Sequence, residues 1–80
     1  MKLTILAFGI AKDIFGASSI IVDLPGDASA ADLKAALEAR YPRLKQIASY
    51  LLAVNNEYAA DDLLLNERDE IAVIPPVSGG

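Results

Sequence analysis

The sequence is organised around Ser29-Ala30-Ala31-Asp32-Leu33-Lys34-Ala35-Ala36-Leu37-Glu38-Ala39-Arg40-Tyr41-Pro42, which carries the clearest helix signals in the chain. Ser29 can cap backbone N–H groups, and Asp32, three residues later, completes a capping-box pattern. Pro42 ends the segment because proline cannot continue a helix. Apolar side chains recur at helical spacing and form one stripe, at Leu33, Ala36, Leu37 and Tyr41. The segment therefore predicts one amphipathic helix that packs against a sheet.

Two strand-like segments precede this helix. Residues 2–9 are predominantly apolar and predict a first strand, and residues 11–15 predict a short turn or helical piece closed by Gly16. Residues 19–24 are rich in β-branched side chains and stop at the turn dipeptide Pro25-Gly26, so they predict a second strand. The two strands are expected to form a hairpin.

The chain after the helix predicts three more strands. Residues 43–50 read as a loop or short helix, and Leu51–Val54 as a strand. Asn55-Asn56 tolerates positive φ and suits a tight turn into Glu57-Tyr58. A final strand is expected at about 70–74. This order predicts an α+β fold of the ubiquitin-like β-grasp type, with a mixed sheet covered on one face by one main helix.

Alternation along the strands divides the sheet into two faces. The side chains expected to face the helix are Leu3, Ile5, Ile71 and Val73. Those expected on the opposite face are Leu6, Phe8, Ala72 and Ile74. That face would be apolar with no helix over it, so we expect a partner-binding surface that includes Phe8, Ile74 and Tyr58. Homodimerisation, or a register shifted by one residue, is the alternative.

The chain ends in Pro75-Pro76-Val77-Ser78-Gly79-Gly80, directly after the last strand. The two prolines favour extended geometry and so predict a stiff spacer. Gly79 and Gly80 have no Cβ, which lets them enter a narrow channel and leaves the terminal carbonyl carbon open to attack. We therefore divide the chain into a β-grasp domain, 1–74, and a flexible C-terminal tail, 75–80, that is inserted into a partner. An ordinary frayed end is the alternative.

The amino-acid composition limits the classes of function that are open to this chain. The chain has 80 residues, of which 54% are hydrophobic, enough for one small core. It has no cysteine and no histidine, which removes the thiol nucleophile, the usual general base near neutral pH and the commonest metal ligand, and leaves carboxylates and lysines for acid–base chemistry. No Asp-x-Asp-x-Asp-Gly loop is present, so no metal site is expected. The net charge is −4, with acidic residues concentrated in the last third, which disfavours nucleic acid and favours a basic partner surface.

The sequence also indicates the cellular compartment in which the protein is expected. The segment from Met1 to Ala11 has the charge and length of a signal-peptide start, but the same residues read as the first strand, which a small domain can hardly lose. No apolar run approaches the ~18 residues of a membrane span. We therefore expect a cytoplasmic protein that does not contact the membrane.

Two segments carry a resemblance to a known family. Val54-Asn55-Asn56-Glu57-Tyr58 and the run from Leu65 to Gly80 resemble the small subunits of molybdopterin synthase. The resemblance covers nearly the whole chain, and the tail with its preceding strand is its most specific part. Two positions depart from the family pattern. Arg68 stands where glycine usually precedes Asp-Glu, which implies a different turn, and Asn56 stands where glycine is frequent.

The resemblance implies a carrier of activated sulfur that is not catalytic by itself and binds no permanent cofactor. A ubiquitin-activating-like adenylyltransferase would use ATP to join AMP to the Gly80 carboxylate, and a sulfur donor protein would displace the AMP to give a thiocarboxylate. The tail would then enter the large synthase subunit, with Phe8, Tyr58 and Ile74 as interface anchors. There it would give sulfur to cyclic pyranopterin monophosphate for the dithiolene of molybdopterin. The family assembly implied is two small and two large subunits.

Three other functions stay open. A sulfur carrier for thiamine synthesis would share the Gly-Gly activation but serve another acceptor. A ubiquitin-like modifier would use the same activation to form isopeptide bonds with lysines. An interaction module with an inert tail would need neither Gly79 nor Gly80.

Overall fold

The computed structural model describes residues 1–47 and 49–76. Its elements are β1 (Lys2–Ala7), α1 (Ile10–Phe15), β2 (Ser19–Asp23), α2 (Ala30–Arg40), a 3-10 helix (Pro42–Gln46), β3 (Leu51–Val54), β4 (Glu57–Tyr58) and β5 (Ile71–Ile74). This is the predicted β-grasp order. The strands expected at 2–9, 19–24 and 70–74 are one or two residues shorter. The 3-10 helix covers residues 43–46, the first half of the segment 43–50 that was expected as a loop or short helix.

The five strands form one mixed sheet in the order β2-β1-β5-β3-β4. β1 pairs antiparallel with β2, which confirms the first hairpin, and parallel with β5. β3 pairs antiparallel with both β5 and β4. β5 is therefore the central strand, and the chain that follows it leaves from the middle of the sheet.

The main helix, α2, begins as the sequence predicts. The Ser29 hydroxyl accepts a hydrogen bond from the Asp32 N–H at 3.2 Å, and the Asp32 carboxylate accepts one from the Ser29 N–H at 2.9 Å. The helix ends at Arg40, where the Tyr41 N–H still donates to the Leu37 carbonyl at 2.7 Å. These bonds satisfy backbone groups that a helix end otherwise leaves unpaired.

The core lies between α2 and one face of the sheet. All four side chains predicted to face the helix are fully buried, and the same holds for the helix residues Leu33 and Leu37. The partly buried Ala36 and Tyr41 pack against this cluster, which confirms the predicted stripe. Leu44 of the 3-10 helix closes the core at one end.

Two polar turns explain the departures from the family's glycines. Asn55 and Asn56 have φ of 54° and 71°, the left-handed conformation expected for this hairpin turn. The turn at Arg68 needs no positive φ. Instead, the Asn66 side chain accepts from the Arg68 N–H at 3.0 Å, and the Asn66 carbonyl accepts from the Asp69 N–H at 2.9 Å.

None of the helices in the described part of the chain has the length and apolar composition that crossing a membrane requires.

Candidate interaction surface and tail base

An apolar surface covers the side of the sheet opposite α2. The register aligns Leu6 with Ala72, and Ala72 with Ala53. It also aligns Ala53 with Tyr58, and Leu51 with Ile74. We call this surface the sheet face, and its residues are Leu6, Phe8, Leu51, Ala53, Tyr58, Ala72 and Ile74.

Large side chains stand exposed on the sheet face. Phe8 is 51% exposed, Leu51 47% and Tyr58 69%, while Ile74 is half-buried. Exposed aromatic groups of this kind are enriched where proteins bind each other, because they contribute large apolar area at low entropic cost. Of the three residues predicted as interface anchors, Tyr58 and Ile74 lie on the sheet face by their strand register, and Phe8 directly follows β1, where continued alternation with Leu6 puts it on the same side.

Ala72 faces away from the helix as predicted, but it adds little to the exposed surface. Only 9% of its surface is accessible. Its methyl group lies on the central strand between Leu6 of β1 and Ala53 of β3, and these neighbours cover it. The middle of the sheet face is therefore a shallow depression, and larger side chains surround it.

Sequence reasoning missed two exposed residues on this side of the sheet. Leu51 pairs with Ile74, and Ile21, which is 60% exposed, pairs with Thr4 on the β2 side. Period-two alternation places either Leu51 or Leu52 on the sheet face, and the antiparallel register decides between them. A signal for Leu51 was thus present in the sequence, but it needed the pairing partner.

Acidic groups border one end of the sheet face. Glu57 is exposed on the edge strand β4, where it pairs with the buried Val54 and lies on the opposite side of the sheet from Tyr58. The Asn55 side chain links this hairpin to the acidic loop, because it donates to the Asp69 carboxylate at 3.0 Å and accepts from the Glu70 N–H at 2.9 Å. An apolar surface edged by carboxylates fits a partner with an apolar patch bordered by basic residues.

The tail begins against the turn between β1 and α1. Gly9 has φ of 55°, and a Cβ built on it would lie 3.2 Å from Cγ of Pro75. Glycine is required here for two reasons. An L residue with a side chain rarely adopts this φ, and its Cβ would crowd the ring of Pro75. The close approach fixes Pro75 where β5 ends, so the direction in which the tail leaves depends on Gly9.

A cleft of about 580 Å³ opens beside this contact. We call it the tail-base cleft. Its described walls come from α1, the 3-10 helix and the start of the tail, and they are mainly apolar, with Ile10, Ile14, Ile47, Pro75, Pro76 and the cation of Arg43. The two predicted tail residues that the structure describes, Pro75 and Pro76, therefore form part of a cleft wall. The other predicted tail residues, Val77, Ser78, Gly79 and Gly80, lie outside the described residues.

Polar contacts on another side of the molecule connect α2 to the chain before β3 and to the loop after β4. The Tyr50 hydroxyl donates to the Glu38 carboxylate at 2.5 Å, and Lys34 pairs with Asp61 at 3.4 Å. Burial raises the pKa of Tyr50 well above its usual range, and the hydrogen bond to Glu38 raises it further. These groups hold elements of the fold together and do not lie on the sheet face.

Comparison with known proteins gives matches over nearly the whole chain. The ThiS family matches residues 5–80. A protein of Dictyostelium discoideum named molybdopterin synthase sulfur carrier subunit is 45% identical over 83 residues, which cover 99% of this chain and 96% of that protein. A human protein of the same name is 37% identical, covering 99% of this chain and 94% of its own length.

Solved structures share the fold. SAMP1 from Haloferax volcanii aligns with a TM-score of 0.85 and 28% identity over 100% of both chains. A chain in the complex of subunits 1 and 2 of molybdopterin-converting factor from Helicobacter pylori aligns with a TM-score of 0.70 and 22% identity, again over 100% of both chains. These likenesses confirm the β-grasp fold.

Proposed function

Because the chain belongs to the ThiS family, we propose that it is the sulfur-carrying small subunit of a molybdopterin synthase. The observation that carries the proposal is the exposed apolar sheet face, with the central strand of that face continuing into the Gly79-Gly80 ending. A docking surface beside a slim reactive end is what a subunit needs to deliver its terminus to another protein. The names of the Dictyostelium and human relatives support the same assignment.

In the proposed loading reaction, Gly80 is the electrophile. A carboxylate oxygen of Gly80 attacks the α-phosphorus of ATP in a ubiquitin-activating-like adenylyltransferase, and pyrophosphate leaves. A donor protein delivers sulfur at the oxidation level of sulfide, which attacks the terminal carbonyl carbon and expels AMP. The product is a thiocarboxylate, and the step needs no oxidant or reductant. ATP belongs to the enzyme, and this chain carries AMP and sulfur only transiently.

In the proposed donation reaction, the tail acts as a nucleophile. Phe8, Tyr58 and Ile74 bind the large subunit, and Pro75-Pro76 direct the tail into its active site. The thiocarboxylate sulfur attacks a carbon of cyclic pyranopterin monophosphate, forming a carbon–sulfur bond while the bond from that carbon to oxygen breaks and the departing oxygen takes up a proton. Water then cleaves the bond between the Gly80 carbonyl carbon and sulfur, which leaves sulfur on the product and restores the carboxylate. Two such transfers build the dithiolene.

The partner supplies what this chain lacks. The sequence has no histidine and no cysteine, so acid, base and substrate-binding groups belong to the large subunit in this scheme. We propose an assembly of two small and two large subunits located in the cytoplasm. A chain in the Helicobacter pylori complex of subunits 1 and 2 shares this fold, which supports the proposal that this chain binds a large subunit.

The test is removal of Gly80. Because the terminus lies beyond the last core strand, we expect the truncated chain to fold and bind the large subunit as before but to transfer no sulfur. Ser78→Ala is the matched control, since it alters the tail but keeps its length and its terminal glycine. Sulfur transfer by the truncated chain at the rate of the Ser78→Ala variant would refute the proposal.

A second candidate function has one observation in its favour. The Haloferax volcanii protein SAMP1, whose full name is small archaeal modifier protein 1, matches over its whole length with 28% identity. A modifier would pass the Gly80 acyl group to lysine amines, giving isopeptide bonds and releasing AMP. Incubation with ATP, the activating enzyme and a lysate distinguishes the two functions, because a modifier forms higher-mass protein adducts and a sulfur carrier forms only a thiocarboxylate.

A further inference from the structure

The outer edge of the sheet at β2 carries backbone groups that the neighbouring strand does not use. β2 is the end strand in the order β2-β1-β5-β3-β4, and it pairs with β1. The Leu24 N–H donates to the Met1 carbonyl at 2.9 Å, and the Ala7 N–H donates to the Ser18 carbonyl at 2.9 Å. These bonds fix which positions of the ladder are hydrogen-bonded pairs, because such pairs alternate along antiparallel strands. The residues whose N–H and C=O groups point away from β1 are therefore Ser19, Ile21 and Asp23.

The side chain of Arg40 covers the middle of this edge. Its guanidinium Nη1 donates to the Ile21 carbonyl at 3.0 Å, and its guanidinium carbon lies 5.2 Å from the centre of the Tyr41 ring. The ring helps to hold the cation in place at the end of α2. Within residues 1–47 and 49–76, the Ile21 carbonyl is the one outward group of β2 that has a hydrogen-bond partner. Another strand that paired with β2 would therefore have to displace Arg40.

The β2 edge matches a second copy of itself. When two β2 strands pair antiparallel about a two-fold axis at Ile21, the two Ile21 residues exchange N–H···O=C bonds. Ser19 of each copy then lies opposite Asp23 of the other, so no like charges oppose each other. The Ile21 side chain, which is 60% exposed, packs against its counterpart in this arrangement. The pairing uses the same Ile21 carbonyl that Arg40 occupies in the single chain.

We propose that Arg40 closes the β2 edge against strand pairing with a second copy of this chain. An open edge with the β-branched residues Ile20, Ile21 and Val22 is a template for such pairing, and a cation placed on the edge prevents it. The closed edge keeps the domain single, so each copy presents its own sheet face to a partner. Closure of the edge does not depend on sulfur chemistry, so its failure would leave the proposed function standing.

The first test measures self-association. Sedimentation velocity, at concentrations up to the millimolar range, compares the wild type with Arg40→Ala and Arg43→Ala. Each variant loses one exposed arginine, but of the two only Arg40 bonds to β2. One such bond changes an equilibrium constant roughly fivefold, and each dimer must break two of them, so Arg40→Ala is expected to strengthen dimerisation about 25-fold. Arg43→Ala is expected to behave as the wild type. Equal association of all three proteins, or the absence of association in all three, would overturn the proposal.

Hydrogen exchange of the backbone amides shows where the copies meet. In the single chain, the outward Ile21 N–H should exchange fast, whereas the N–H groups of Ile20 and Val22 bond to β1 and should exchange slowly. In Arg40→Ala we expect the Ile21 N–H to become protected as the concentration rises. Association without this protection would mean that another surface forms the contact, and it would overturn the proposal.

A second substitution tests the register of the pairing. Ile21→Lys in the Arg40→Ala background places two cations directly opposite each other at the two-fold axis, where like charges are destabilising. Because the Ile21 side chain is exposed, we expect this double variant to fold and to lose the added dimerisation. Dimers of the double variant as stable as those of Arg40→Ala would refute pairing at β2.

Discussion

Replacing Gly9 by alanine adds one methyl group, and we expect this change to displace the start of the tail. The change acts in two ways. It forces an L residue to adopt φ 55° with ψ −131°, and it puts a Cβ 3.2 Å from Cγ of Pro75. This pair of angles lies outside the left-handed helical region that non-glycine residues occasionally occupy. The residue or the proline must therefore move.

Gly16→Ala separates the two effects. Gly16 ends α1 with φ 74° and ψ 15°, close to the left-handed helical region, and a Cβ there would meet nothing within 4 Å. Its replacement should cost about 1 kcal/mol of folding free energy from backbone strain alone. Gly9→Ala combines a less favourable conformation with a crowded contact, so we expect about 3 kcal/mol. For a domain of this size, 1 kcal/mol corresponds to roughly 4–8 °C in Tm.

The assay is thermal unfolding followed by circular dichroism, together with amide NMR spectra of the folded variants. We expect Gly9→Ala to lower Tm at least twice as far as Gly16→Ala and to shift the resonances of Ile74 and the residues after it. Gly16→Ala should leave those resonances in place. Equal losses of Tm, or an unshifted Ile74 in Gly9→Ala, would refute the claim that Gly9 sets the position of the tail.

Three further changes test other parts of the structure. Ser29→Ala removes the side-chain acceptor at the start of α2 and should lower the free energy of unfolding in urea by about 1 kcal/mol, so an unchanged midpoint would contradict the capping role. Tyr50→Phe tests the raised pKa of Tyr50, which comes from burial and then from Glu38. The unfolded chain loses the Tyr50 proton first as pH rises past about 10, so wild-type stability should fall there, and the fall should be smaller in the variant. An identical pH dependence would reject that reasoning. Phe8→Ala should weaken binding to the large subunit by about 1 to 3 kcal/mol in calorimetry, whereas Leu64→Ala, exposed elsewhere, should not; equal effects would exclude Phe8 as an anchor.

The elements that local chemistry determines were predictable from the sequence. The capping box of Ser29 and Asp32 specified where α2 begins, and the pair Asn55-Asn56 specified a hairpin turn with positive φ. Each of these signals lies within a few residues of the structure it determines. The inward side chains followed as well, because alternation fixes a face once one buried residue of the strand is known.

The surface details needed the pairing of distant strands. Whether Leu51 or Leu52 faces the partner depends on the register with β5, and the burial of Ala72 depends on which neighbours stand beside it. Local patterns do not specify these relations.

The tail-base cleft was not predictable because its walls are far apart in the sequence. Gly9 and Ile10, Arg43 and Pro75 come from three separate segments, and only the folded chain brings them together. No local signal in the sequence places Arg43 beside the tail. The tail is predicted from six consecutive residues of the sequence, and its chemical role stays a prediction.

The central claim is that Gly80 carries sulfur, and intact mass spectrometry tests it most directly. The chain is incubated with ATP, a molybdopterin-pathway activating enzyme of demonstrated activity and a sulfur source, and its mass is compared with a reaction that lacks ATP. We predict an ATP-dependent mass shift equal to one oxygen replaced by one sulfur, localised to Gly80 by fragmentation. An unchanged mass with the active enzyme, or sulfur located at any other residue, would contradict it.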